Sequence, residues 1–187
     1  MRALIEDLIP NAPQLGLYVA PQIPEDKLKN ALDDYANIAA AEDVLALYDA
    51  TLLGSAKDGA VFTRDGFVFQ NNDLEPTHDV RYLDLIQADL KRKLLGGRRL
   101  LLTVNRGRAT FDLEMDFSGK PEAADYVLRF LREAMLRTEG ANEYQSAGET
   151  NVEAVMAELD DLRNRGLLAP ADFHAMERIL RKRESES

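Results

Sequence analysis

Apolar positions from Val44 to Phe117 fall in short runs separated by turn residues, and the runs read as about seven β-type segments. Val44–Leu53 is strand-like, and Gly54 to Gly59 turn the chain. Ala60–Arg64 is a second strand and Phe67–Gln70 a third, with Asp65-Gly66 as the hairpin turn between them. Asp-Gly between apolar runs marks a hairpin because both residues tolerate positive φ. Asn71–Asp79 is a polar loop around Pro76, and Val80, Tyr82 and Leu85 suggest a fourth strand. Ala88–Leu95 and Arg98–Asn105 read as a hairpin closed by Gly96-Gly97, followed by a tight turn at Arg106-Gly107. Leu-Ile-Gln-Ala-Asp-Leu, residues 85–90, equally suits a helix. In Thr110–Phe117 the set Phe111, Leu113, Met115 and Phe117 alternates with Thr110, Asp112, Glu114 and Asp116. Period two with one wet face predicts a half-buried antiparallel strand.

The period then changes to that of a helix. Ala124, Val127, Leu128, Leu131, Ala134 and Met135 form an apolar stripe ending near Arg137. Pro121 suits the first helical position, and Glu122 and Asp125 complement the positive helix end. Such a helix can cap one open end of a barrel. Ahead of the strands, residues 1–43 read as a helical extension. Met1–Ile9 forms a short helix. Asn11–Pro24, with Pro13, Pro21 and Pro24, is extended chain. A helix opening at Pro24-Glu25-Asp26 shows Leu28, Ala31, Leu32 and Tyr35 on one face for docking on the core.

Beyond the sheet region of 44–138, residues 139–151 are polar, glycine-containing and aperiodic, and read as a flexible linker. Two short helices follow in 152–183. Val152, Val155, Met156, Leu159 and Leu162 stripe the first, and Phe173, Met176, Ile179 and Leu180 the second. Gly166 sits where a helix ends in the left-handed conformation, Leu167 supplies the accompanying apolar contact, and Pro170 starts the next helix. A hairpin of roughly 30 residues cannot bury its own stripes. It therefore seeks a second copy of the chain, its own parent domain or a foreign protein, and self-association through Val155, Leu159, Leu162, Leu167, Phe173, Met176, Ile179 and Leu180 is the first expectation.

Composition narrows the class. Of 187 residues, 45% are hydrophobic, enough for one core and an appendage, and no run reaches the roughly 18 apolar residues of a membrane span. An acidic pair, Glu6-Asp7, stands where a signal peptide would be apolar. Cysteine is absent, so disulfides, thiol nucleophiles and thiolate metal sites are excluded, and a cytoplasmic home fits. The net charge of −10 argues against nucleic acid as a partner.

Two stretches carry family resemblances. Leu159-Asp160-Asp161-Leu162-Arg163-Asn164-Arg165-Gly166-Leu167-Leu168-Ala169-Pro170-Ala171-Asp172-Phe173, continuing to Ile179-Leu180, resembles the short C-terminal domain family (SHOCT), departing at Ala169 where a capping Ser or Thr is usual. Ala46-Leu47-Tyr48-Asp49-Ala50-Thr51 through Gly59-Ala60-Val61-Phe62-Thr63, then Gly66-Phe67-Val68-Phe69, resembles bacterial PH-like (pleckstrin-homology-like) domains. Those domains pair such a strand with a Thr-x-x-Gly-aromatic hairpin and often precede a SHOCT tail. Together the resemblances imply an α+β fold. Its centre is a PH-like antiparallel β-barrel or sandwich of about seven strands with a C-terminal capping helix. They imply binding and oligomerisation, and transfer no catalytic residue, metal or cofactor.

Candidate chemistry is sparse. His78 and His174 fall in different modules without metal-ligand spacing. Gly54-Ser55-Ala56-Lys57 lacks phosphate-loop spacing. Asp33-Asp34 and Asp160-Asp161 are adjacent on helices and so diverge. One basic cluster remains as a ligand candidate: Lys91, Arg92, Lys93, Arg98 and Arg99 flank the Gly96-Gly97 turn, with Arg106 and Arg108 on the next. Lys91, Lys93, Arg98, Arg99, Arg106 and Arg108 could gather an anionic headgroup at a membrane surface, or could pair with Asp112, Glu114 and Asp116 on the neighbouring strand. The expectation is a non-enzymatic interaction module. Anionic-ligand binding and an enzyme with an unrecognised site stand as alternatives.

Overall fold

The computed structural model describes residues 1–37, 40–93, 97–107 and 109–148, and beyond these Met156, Leu159, Asp160, Arg163, Phe173 and Met176. The chain divides into two units, Met1–Glu139 and Gly140–Ser187. Among the described residues no helix is long and apolar enough to cross a membrane.

The first unit is α+β. Helix α1 (Arg2–Leu8) precedes β1 (Leu17–Val19) and α2 (Glu25–Asp34). Strands β2 (Ala46–Asp49), β3 (Gly59–Phe62), β4 (Gly66–Gln70) and β5 (His78–Arg81) follow. Then come β6 (Leu85–Arg92), β7 (Arg98–Asn105), β8 (Thr110–Asp116) and α3 (Ala123–Gly148). Every pairing is antiparallel: β1 to β5 form one meander sheet in chain order, and β6 to β8 a second. The sheets do not close into a barrel.

Two corrections concern strand ends. Tyr82 was expected in the fourth strand, but β5 stops at Arg81, and a 3-10 turn over Tyr82–Asp84 carries the chain to the second sheet. Arg81 clamps Asp84 there with two contacts of 2.7 Å. The hairpin expected to turn at Asp65-Gly66 turns instead at Arg64-Asp65. The Thr63 N–H donates to the Gly66 carbonyl at 2.9 Å, and Gly66 opens β4. That position needs glycine, because a Cβ on it would stand 2.3 Å from the Val80 carbonyl oxygen on β5.

The extension contributes more than helices. β1 comes from the proline-bearing stretch expected to be extended chain outside the sheet region of 44–138, and it adds an eighth strand beside β2. It is legible only from its partner, since three residues show no period of their own. Helix α2 covers the outer face of the first sheet, of which β1 is an edge strand. Ala31 of α2 and Tyr35 just after it pack with Tyr18, Leu47, Val61 and Val68 in a cluster separate from the main core. The inner face supplies Tyr48, Phe62, Phe67 and Phe69 to that core, with α1, the second sheet and α3. Sheets buried on both faces read as continuous apolar runs, which is why Ala46–Asp49, Gly59–Phe62 and Gly66–Gln70 are buried throughout. Phe130 of α3 meets Phe62 and Tyr82 edge-on, at 5.7 and 5.6 Å between centroids, so the stripe on this helix is wider than expected. The helix also continues past Arg137 to Gly148, through residues read as linker. Glu139, Ala141, Glu143, Gln145 and Ala147 are sound helix formers, and a helix already nucleated extends at little further cost.

Asp49, Gln70 and Asp84 are the buried polar side chains among the described residues, and Asp49 is the most deeply enclosed. Asp49, at the end of β2, is 1% exposed. Its Oδ2 accepts from Lys27 Nζ at 2.8 Å, and its Oδ1 from the Thr51 N–H, the Thr51 hydroxyl and the Ala56 N–H at 3.0, 2.6 and 3.2 Å. Lys27 also donates to the Gly54 carbonyl, and Lys120 to the carbonyls of Asp49 and Thr51. Burial works to raise the Asp49 pKa, but the Lys27 and Thr51 hydrogen bonds and the Lys120 charge outweigh it and hold it below the ordinary carboxylate value.

Asp49→Ala leaves two partly buried ammonium groups unpaired and should cost about 3–5 kcal/mol in urea unfolding; a loss below about 1 kcal/mol would contradict this account. The unfolded chain binds the Asp49 proton more readily than the folded one. The stabilisation from ionised Asp49 is therefore complete above about pH 4 and fades as pH falls through the lower folded value. Asp49→Asn should flatten the acid limb of a stability–pH curve.

Candidate functional site: the seam between the sheets

Of the predicted basic residues, Arg99 lines a hollow where the edge strands of the two sheets, β5 and β8, run past one another, and Arg106 reaches β5 from the turn before β8. A groove of about 210 Å³ lies there, lined by Asn71, Glu75, His78, Arg99, Asp112, Leu113, Glu114 and Asp116. No backbone ladder joins β5 to β8. Side chains hold the seam instead. Asn71, directly after β4, donates through Nδ2 to the Glu114 carbonyl and accepts at Oδ1 from the Asp116 N–H, both at 2.8 Å. It thus pairs with β8 as one residue of a neighbouring strand would. At the other end Arg106 donates to the Asp79 carbonyl on β5.

The loop carrying Asn71 is braced by its own side chains. Asn71 and Asn72 donate to the two oxygens of Glu75 at 2.9 and 2.7 Å, and Asn72 Oδ1 accepts from the Leu74 N–H at 3.0 Å. Those donors hold the Glu75 pKa below its ordinary value. His78 packs on Phe69 with centroids 4.9 Å apart, and burial, with Arg106 nearby, pushes its pKa down against the pull of Glu75.

The basic cluster is largely neutralised. Lys93 Nζ lies 2.8 Å from Asp116 and 2.6 Å from the Ser118 hydroxyl. Burial tends to raise the Asp116 pKa, but Lys93 and Ser118 bring it below the ordinary value. Arg99 pairs with Glu114, diagonally across the β7–β8 ladder. Arg98, its neighbour on β7, pairs with Asp125 at the start of α3 instead. Successive strand residues point to opposite faces, so Arg98 and Arg99 cannot converge on one ligand. Lys91 stands opposite Arg99 in the β6–β7 register and has no ion-pair partner among the described residues. Arg108 lies outside the described residues. Among the described residues no group of three or more His, Asp or Glu could hold a metal ion.

Sequence reasoning missed Asn71 and His78 as parts of this site. Asn71 gave no signal beyond loop composition, because its role depends on a strand more than forty positions away. Burial also fades along β8. Met115 and Phe117 are buried and Leu113 half-buried, but Phe111, expected on the inner face, is 47% exposed beside the seam.

Compared with known proteins, the chain matches no family model, no curated protein and no solved structure.

In the second unit only scattered residues bear on the predicted interaction stripe. Phe173 is buried, with the Arg163 guanidinium 4.5 Å from its ring centroid, and Arg163 also pairs with Asp160 at 2.8 Å. Met176 is 43% exposed and Leu159 half-buried. Val155, Leu162, Leu167, Ile179 and Leu180 lie outside the described residues.

Asn71→Ala should cost about 1 kcal/mol, the worth of an ordinary hydrogen bond. Its sharper signature is local. Amide exchange at Asp116 should accelerate, while Met115, whose main chain faces β7, stays unchanged.

Proposed function

We propose that the chain is a non-catalytic interaction module: a PH-like sandwich carrying a SHOCT-like hairpin that assembles copies of the chain. The element order supports the first half. Strands β2 to β5 form a meander, β6 to β8 a second sheet, and α3 packs on the core after the last strand. That is four strands, three strands and a helix, with β1 added from the extension. The separation of Gly140–Ser187 as its own unit carries the second half. Too short to bury two apolar stripes by itself, that unit gains stability by pairing. Assembly then acts through avidity, since several sandwiches presented together hold a partner too weak to be held by one. An anionic headgroup at the basic hairpins is the weaker reading, because Lys93, Arg98 and Arg99 would first have to leave Asp116, Asp125 and Glu114.

Absolute mass from light scattering on a sizing column tests the assembly. The full chain should elute as a discrete oligomer. Leu162→Asp combined with Ile179→Asp should reduce it to a monomer with the unfolding transition of the first unit unchanged. A wild-type chain that is monomeric at micromolar concentration would overturn the proposal.

A further inference from the structure

The seam has unused hydrogen-bonding capacity. On β8, Asp116 N–H and Glu114 C=O face away from β7, toward Asn71, so by strand alternation Asp112 also presents its N–H and C=O outward. No main-chain bond outside the ladders reaches Asp112 among the described residues. On β5 the Asp79 carbonyl faces outward to Arg106, so the Asp79 N–H faces the same way. Two edges of opposite sheets therefore leave main-chain groups open along the seam, Asp112 in the groove beside Asn71 and Asp79 in a neighbouring hollow with Arg81, Asp84 and Arg106, whereas native proteins usually cover or charge such edges.

The surroundings define what could fill it. Asp79 and Asp112 are exposed carboxylates without an ion pair among the described residues, and Glu75 has only amide partners. Asp116 and Glu114 add negative charge matched by Lys93 and Arg99. The groove thus carries surplus acid, and Leu113 gives it an apolar wall, with Phe111 exposed two residues further along β8. Asn71 shows that strand-type hydrogen bonds are already made across it by a side chain.

We propose that the seam between β5 and β8 receives an extended segment of a partner protein in which basic and apolar residues alternate. The segment continues the pairing that Asn71 begins on β8, with its cationic side chains set among Glu75, Asp79 and Asp112. Main-chain bonds supply affinity and the acidic rim supplies selectivity, as in strand addition generally. This inference rests on the reading of the sandwich as a binding module but not on assembly by the tail.

The test uses the full-length protein and an acetylated, amidated peptide of alternating Lys and Val, followed by fluorescence anisotropy and residue-resolved amide exchange. Two control peptides accompany it, one of the same charge with central prolines and one with Glu for Lys. The Lys-Val peptide should bind in a salt-sensitive manner and protect the Asp112 and Asp79 amides. The proline peptide should bind at least about tenfold more weakly and the Glu peptide not measurably. Asp112→Lys, an exposed change that leaves the β7 ladder intact, should weaken binding by about tenfold. Equal binding of the proline peptide would show mere charge attraction and overturn the proposal. So would binding that leaves Asp112 and Asp79 unprotected, or no binding at low salt. Protection of these amides that rises with protein concentration and without peptide would assign the seam to a second copy and also overturn it. Column mass, measured alongside, reports the tail separately, so failure of either idea is read without the other.

Discussion

The carboxylate of Asp49 is the interaction on which the larger unit depends. A carboxylate removed from water must be fully paired or it forces its own neutralisation. Three segments meet around it: Lys27 on α2 and Thr51 and Ala56 in the loop after β2 donate to the carboxylate, and Lys120 before α3 reaches the Asp49 main chain. Gly16, just before β1, closes the circle. It accepts from the Asp49 N–H at 2.8 Å, and a Cβ on it would fall 2.4 Å from the Asp49 carbonyl oxygen. Its φ of +69° is a second reason for glycine there. One buried charge thus ties the extension, the first hairpin and the last helix to a single strand end.

That anchoring explains the difference between the two sheets. The first is fastened to the extension and covered on both faces over β2 to β4, so those strands are short and buried throughout, and only its edge strand β5 is wet. The second buries one face only, and its outer face carries cross-strand pairs such as Thr103 with Asp112 and Arg99 with Glu114. Exposed pairs of this kind contribute little to stability. They settle register and keep the basic side chains off a common target. Of the residues that looked like a ligand cluster in sequence, Arg98 and Arg99 are therefore spread over two faces, and with Lys93 they are matched by acids.

Much of this was readable in the chain, and the failures share a cause. β8 was legible from its alternation and α3 from its stripe, because one side of each is wet, whereas residues 85–90 of β6 suited a helix equally. Gly66 misled because Asp-Gly usually marks the bend itself, whereas here the glycine makes room for β5. β1 escaped because its pairing partner lies about thirty positions away, and three apolar residues among prolines show no period. Asn71 escaped for the same reason. A side chain that substitutes for a strand leaves no trace in local pattern, and neither does Asp49, which looks like any acid ending a strand. Local periodicity reports how each element meets water. It does not report which remote polar group an element must satisfy.

The edges show the consequence. β1 is finished by its own chain, where Val19 N–H meets Asn11 and Ala12 bridges Leu17. On β6, α3 supplies Arg132, which takes the Ala88 carbonyl at 3.0 Å and pairs with Asp89. At β5 and β8 two edges stand together, and there Asn71 and Arg106 occupy the positions a closing ladder would need. A short β5 of four residues, ending in the Tyr82–Asp84 turn, cannot run the length of β8. The two sheets stay unjoined here because the last strand of the first meander stops early. The polar side chains that bridge the gap make that opening a defined groove instead of a frayed edge.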